Sequence, residues 1–199
     1  MSLRTGKMMV GLTGGIASGK SSALTKFNEL GWSVMSADFL AGDILASDKR
    51  VQGEITNRWG KDLLKSCGSI DKAAIARIVF AEELERRWLE ELLHPIIRSK
   101  WISFVQSCPS SKCMVELPLL FENNLQNHFT CTLSAFAPIP TIMTRLKARG
   151  LSINESTARV DSQLSIFQKV SQADYVLWGA GSLKFLNHQV EGLDRILSK

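Results

Sequence analysis

Hydrophobic and polar positions along this chain fall into two alternating kinds of block. Short, nearly continuous apolar runs occupy Met8–Leu12, Trp32–Met35, Cys113–Pro118, Thr130–Phe136 and Ala173–Leu177. Runs of that length suit strands buried on both faces of a parallel sheet, and Pro118 halts the third of them. Between the runs, apolar residues recur at helical spacing over Ser21–Leu30, ending before Gly31, and after Pro138 and Pro140. A closing amphipathic helix is predicted over Ser182–Leu197, and Leu119–Asn123 reads as a short apolar helical turn. Strands that alternate with helices predict an α/β fold, here a five-stranded parallel sheet flanked by helices.

One interval breaks the alternation. Residues 39–112 carry helical periodicity over Asp43–Ala46, Val51–Trp59, Lys72–Phe80 and a long segment from Glu82 to Val105, with no convincing strand. That is far longer than an ordinary strand-to-helix connection. It predicts a helical insertion that holds a second substrate, set into a core made of residues 8–38, 113–145 and 173–199. Pro95 interrupts the last helical pattern and implies a kink or a new helix start. Residues 146–172 turn polar, with a helix start at Ser152–Glu155, and predict a small lid carrying Arg159, Gln163 and Lys169. The alternative for those basic residues is a solvated surface.

Composition narrows the class. A chain of 199 residues suits one sizeable core, or one core carrying insertions, rather than two independent domains. A hydrophobic share of 45% and a charged share of 22% are those of a globular protein, with no apolar run long enough to cross a bilayer. The N-terminus does not resemble an export signal, so a cytoplasmic location is expected. Residues 1–7 precede the first strand and stand outside the fold reading. The cysteines, Cys67, Cys108, Cys113 and Cys131, form no C-x-x-C pair and predict ordinary reduced thiols. The net charge of +5 fits an anionic ligand, yet the basic residues are dispersed. No nucleic-acid module is present, so neither nucleic acid nor membrane is an expected partner, and a monomer is the favoured state.

The candidate chemistry begins at Gly14-Gly15-Ile16-Ala17-Ser18-Gly19-Lys20-Ser21, a complete G-x-x-x-x-G-K-[ST] pattern between the first strand and the first helix. Strand before and helix after are the context that makes this pattern a phosphate-binding loop. Its glycines let consecutive N–H groups face one anion, and the helix adds its positive end. The loop and the adjoining Ser22 are the expected ATP contacts. Lys20 is placed to reach the β- and γ-phosphates, and Ser21 to ligate Mg²⁺.

Asp38 follows the second strand, at the sheet end where ligands sit in open α/β folds. It is either a ligand-facing carboxylate or the N-cap of a helix starting at Phe39. His94 is either a cleft-facing group or a structural hydrogen-bond donor. Arg98 either binds a phosphate or covers apolar surface with its stem. Glu116 and Glu122 lack the usual pattern of a second nucleotide motif, and Glu122 reads as a capping or packing group. Arg145 and Arg149, one turn apart, offer planar forks to phosphate oxygens.

The order of these motifs resembles the dephospho-coenzyme A kinase family over nearly the whole chain. The resemblance is carried by Gly11 to Ser21, Ala37-Asp38, Leu93-His94-Pro95-Ile96-Ile97-Arg98, Pro118-Leu119-Leu120-Phe121-Glu122, Arg145 with Arg149, Arg159 with Gln163, and Ala173-Asp174-Tyr175-Val176. It implies a P-loop kinase core, a helical coenzyme A region and a lid. It also implies transfer of the ATP γ-phosphate to the ribose 3′-hydroxyl of dephospho-coenzyme A. Asp38 then becomes the base, orienter or magnesium-water ligand, and Lys20, Arg145 and Arg149 the charge-neutralising groups. His94 and Arg98 become acceptor contacts.

Three departures stand out. Ser36 replaces the first aspartate of a common Asp-Ala-Asp, Gly42 replaces an arginine, and Trp178-Gly179 replaces an asparagine-containing turn. Other readings remain. One is a kinase of another small metabolite or nucleoside monophosphate, and the other a nucleotide-gated binding module, for which N-K-x-D and D-x-x-G signatures are absent.

Overall fold

A computed structural model describes residues 6–65 and 68–198, so Cys67 and the first five residues lie outside the described part. Five strands form one sheet: β1 (Met8–Gly14), β2 (Ser33–Ser36), β3 (Lys112–Glu116), β4 (Cys131–Phe136) and β5 (Tyr175–Trp178). All are parallel, in the order β2-β3-β1-β4-β5. The predicted strands are all present, with ends shifted by one or two residues. β1 is central, which is why six of its seven residues are buried.

The helices are α1 (Lys20–Glu29), α2 (Ala37–Ser47), α3 (Lys49–Trp59), α4 (Lys72–Ala81), α5 (Glu83–Ser107), α6 (Ile139–Ala148), α7 (Ile153–Asp161), α8 (Ile166–Gln172) and α9 (Leu183–Leu197). Polar caps fix most starts. Asp48 and Asp71 accept backbone N–H groups at the heads of α3 and α4, while Ser152 with Glu155 and Ser165 with Gln168 form reciprocal capping boxes on α7 and α8.

Of the two alternatives expected at Pro95, a kink or a new helix start, the second does not occur: α5 runs through the proline as one helix of 25 residues. Buried Leu89 and Leu93 before the proline, with Trp101 and Val105 after it, supply packing on both sides that outweighs the proline's local penalty. Leu119–Asn123 forms the expected single turn, closed by the Asn123 N–H on Leu119 O at 3.2 Å; it lies within consecutive turns over residues 118–124, ended by positive φ at Asn124, ahead of a 3-10 turn at Gln126–His128.

The chain divides into two compact units, residues 1–36 with 104–199, and residues 37–103. In the first, Val10, Leu12, Phe27, Trp32, Met114, Leu133, Leu177, Leu186 and Val190 make a core between the sheet and the α1/α9 layer. The second unit, which falls within the interval read as an insertion but for its first two residues, buries its own core, with Ile44, Val51, Ile55, Ile75, Leu89 and Leu93 among its members. Trp59 and Trp88 meet edge to face at 5.0 Å there, and Glu85 accepts from both Arg58 and Trp59 Nε1.

Near the C-terminus, the Asp194 carboxylate accepts from the indole of buried Trp32 at 2.8 Å and from Lys112 Nζ at 3.0 Å. Partial burial pushes its pKa up, but hydrogen bonds from Trp32, Lys112 and Ser198 outweigh burial and hold it below the ordinary carboxylate value. A lowered carboxylate pKa contributes stability that is present above the unfolded-state value and is lost as pH falls through the folded-state value. Asp194→Ala is therefore expected to cost about 1–3 kcal/mol at neutral pH, mostly by orphaning the indole N–H. Urea melts at pH 7 and pH 3 measure this, and the difference between wild type and variant narrows at the lower pH.

Candidate active site

The loop between β1 and α1 needs backbone shapes that most residues resist. Gly14 and Gly19 have φ of 137° and 105°, and Ala17 is held at 55°. A Cβ on Gly14 would lie 2.3 Å from the Ala135 carbonyl oxygen, so glycine is required there by space as well as by torsion. The loop then delivers the first turn of α1, whose leading N–H groups have no partner four residues back.

Lys20 is buried, and its Nζ donates to the carbonyls of Gly14 at 3.1 Å and Gly15 at 2.9 Å. The ammonium is thus held along the loop that it serves. Ser21 and Ser22 are exposed at the head of α1. The Ser21 hydroxyl makes no hydrogen bond among the described residues, so its oxygen is available as a ligand, and the residue type suits a hard cation such as Mg²⁺.

Arg145, near the end of α6, reaches the same loop. Its guanidinium donates to Ala17 O at 2.8 Å and to Gly179 O at 2.6 Å, tying the phosphate loop to the turn after β5. Arg149 lies just past α6 and is exposed. The two arginines were grouped by spacing; the structure gives only the first a direct bond to the loop.

Gly179, noted in the sequence only as part of a departure from the family's turn, is where the backbone after β5 meets the loop. Its N–H donates to Phe136 O at 2.7 Å, and a Cβ there would fall 1.8 Å from the Ser18 carbonyl oxygen. The only hint in the sequence is a glycine directly after an apolar run, a sign of close backbone approach. Gly179→Ala is expected to displace the loop and raise the Kd for ATP at least about tenfold, with overpacking costing about 1–3 kcal/mol. Titration calorimetry checks the first effect and thermal unfolding the second.

Lys169, read as a polar lid residue, is fully buried instead. Its Nζ donates to Pro118 O at 2.5 Å and lies 2.8 Å from Glu122 Oε1. Burial pushes its pKa below the ordinary lysine value, and Glu122 opposes that shift. Glu122 Oε1 also accepts from Leu164 N–H at 2.9 Å, so its role is to bind the segment between α7 and α8. Glu116 is buried at the carboxyl end of β3, in register with Ser36 on β2 and Leu12 on β1.

Asp38, His94 and Arg98 belong to the second unit. α2 starts at Ala37, so Asp38 is inside its first turn and exposed rather than serving as the N-cap of a helix from Phe39. His94 is half-buried and Arg98 exposed, one turn apart on α5. His94 forms no side-chain hydrogen bond among the described residues, so the structural-donor reading finds no support. Gly42 sits one turn after Asp38 on α2, and a Cβ there would lie 2.8 Å from Lys72 Nζ.

The cysteine thiols are free at Cys108, Cys113 and Cys131. Burial pushes Cys113 up to about 12 and Cys131 up to about 11. Both stay protonated at neutral pH and are poor nucleophiles.

Comparison with known proteins bears on the same residues. A family model described as dephospho-CoA kinase matches residues 8–184. A dephospho-CoA kinase from Gloeobacter violaceus is 36% identical over 186 residues, covering 93% of this chain and 90% of the relative. Among solved structures, TT1252 from Thermus thermophilus superposes with a TM-score of 0.78 at 29% identity, covering 97% of this chain and 99% of the other. A dephospho-CoA kinase from Campylobacter jejuni does so with a TM-score of 0.64 at 27% identity, covering 97% and 98%.

Proposed function

This chain belongs to the dephospho-CoA kinase family, and from that premise we propose that it transfers the γ-phosphoryl group of ATP to the ribose 3′-hydroxyl of dephospho-coenzyme A, giving coenzyme A and ADP. The observation that carries the ATP half is the loop itself: Lys20 Nζ held on Gly14 and Gly15 carbonyls at the head of α1. The acceptor half rests on the family.

In this reading residues Gly14 to Ser22 cradle the phosphates, and Lys20 neutralises charge on the migrating group. Ser21 would hold Mg²⁺, which when bound offsets charge on the phosphate oxygens. Arg145 spends two of its five N–H donors on the loop and turn carbonyls, leaving the rest of its fork for phosphate oxygens. Arg149 adds charge from the end of α6. Asp38 orients the ribose hydroxyl or accepts its proton, while His94 and Arg98 contact the acceptor. Lys72, whose ammonium stands over Gly42, supplies a cation on the α2 face that also carries Asp38.

Residues 39–112 act as the acceptor-binding insertion and 146–172 as the lid that excludes water during transfer. No helix among the described residues is long and apolar enough to cross a membrane. A cytoplasmic, monomeric enzyme completes the proposal. A coupled ADP-release assay across dephospho-coenzyme A, nucleoside monophosphates and small alcohols tests it. The expected result is a clear kcat/KM preference for dephospho-coenzyme A; equal rates across acceptors would overturn it.

A further inference from the structure

The buried cation on α8 is held by protein oxygens alone among the described residues. Lys169 is fully buried in a protein whose other lysines mostly face solvent, and three oxygen acceptors surround its ammonium. These are Pro118 O, Glu122 Oε1 and, at 3.4 Å, Gln163 Oε1. Pro118 and Glu122 lie in the turn after β3, and Gln163 lies in the linker after α7. Pro118 O also accepts from the hydroxyl of Thr13 at 3.2 Å, and Thr13 is the residue before Gly14. Glu122 Oε1 also accepts from Leu164 N–H, in the linker between α7 and α8. One ammonium therefore joins the strand that feeds the phosphate loop, the turn after β3 and the linker at the foot of α7.

Packing points the same way. Ile166, the first residue of α8, is buried, and its side chain comes within 3.4 Å of the position a Cβ on Gly15 would take. α8 also packs against β1 and β4. By contrast, α7 keeps only Ser156 fully buried and leaves Ile153 three-quarters exposed. Upstream of α7, Gly150 has φ of 84°, a turn that glycine makes without strain.

We propose that α7 alone is the closing element of the 146–172 segment, turning about Gly150 and the 162–164 linker, and that Lys169 with Glu122 is the pin that fixes the second pivot to the phosphate-loop strand. Lys169 and Glu122 are then positioning residues: they touch no phosphate and act through the backbone of Leu164 and Pro118. α8 is a fixed buttress of the loop. The proposal rests on the kinase reading only in taking ATP as the ligand.

Hydrogen–deuterium exchange on the intact protein tests it, with and without ATP and Mg²⁺. Amides of α8 are expected to exchange at least about tenfold more slowly than those of α7 in the free protein. ATP is expected to slow α7 and leave α8 unchanged. In Glu122→Gln, which keeps an acceptor for Leu164 N–H but removes the charge facing Lys169, α8 exchange accelerates several-fold. The same variant raises KM for ATP with a smaller change in kcat, whereas Glu122→Asp restores part of both.

Exchange of α7 and α8 as one unit, slowed together by ATP, would overturn the proposal, as would Glu122→Gln with wild-type exchange in α8. These readouts need no acceptor. If dephospho-coenzyme A proves not to be the substrate, the exchange result is unaffected, so the two failures are distinguishable.

Discussion

Lys20→Ala lowers kcat/KM by about a thousandfold or more, an effect of about 4 kcal/mol on the transition state. The size follows from where the ammonium is kept. Lys20 is only 7% exposed and bonded to two loop carbonyls, so its charge is already desolvated and aimed before a nucleotide arrives. A charge held this way loses no orientation energy during transfer, and Arg145, committed to Ala17 O and Gly179 O, does not move into its place. Alanine suits the first position of α1, so the fold survives and thermal unfolding stays close to wild type. Lys20→Arg does not rescue, because a planar fork cannot take the place of a point donor between Gly14 O and Gly15 O. A Lys20→Ala enzyme with more than a tenth of wild-type kcat/KM would remove the loop from the mechanism.

Asp38→Asn is the second large effect, expected to lower kcat by about 10²- to 10⁴-fold while KM for ATP changes only a few-fold. Asparagine keeps the shape and one acceptor oxygen but loses the negative charge. The first turn of α2 tolerates the exchange, because Asp38 is exposed and bears no capping bond on which the helix depends. Any loss of rate therefore reports chemistry rather than folding. Steady-state kinetics with each substrate varied in turn separates the outcomes. An unchanged kcat excludes Asp38 as base or orienter; a raised KM for dephospho-coenzyme A with unchanged kcat reduces it to a binding contact.

These two residues were legible in the sequence for different reasons. Lys20 is fixed by a spacing whose mechanics are local, since loop, lysine and helix head are consecutive. Asp38 is fixed only by following a strand, and the rest came from family resemblance. The inner strands β1, β3 and β4 were readable because a parallel sheet buries both their faces and leaves an apolar run, and the partly exposed edge strands β2 and β5 keep a shorter one. Their order was not, because an apolar run does not name its neighbours: β1 pairs with β3 and β4, which lie about a hundred residues downstream.

Three features were illegible because each depends on a contact between distant segments. Gly179 matters because Ser18 lies against it, and a glycine after an apolar run hints at a close approach without naming the partner. Lys169 sits in a polar stretch, and its burial requires Glu122 and Pro118 to arrive from the far side of β4. Pro95 implied a kink or a new helix start, and packing on both sides keeps the helix continuous. Glu122, read as a capping or packing group, does bond to backbone, but to the linker before α8 rather than within its own turn.

The most direct test of the whole account is a single turnover with γ-labelled ATP, Mg²⁺ and dephospho-coenzyme A, quenched and analysed for the position of the label. The account predicts label on the ribose 3′-oxygen of the product, which co-migrates with coenzyme A, with ADP formed in equal amount. Label released as inorganic phosphate, or found on any other acceptor position, contradicts it.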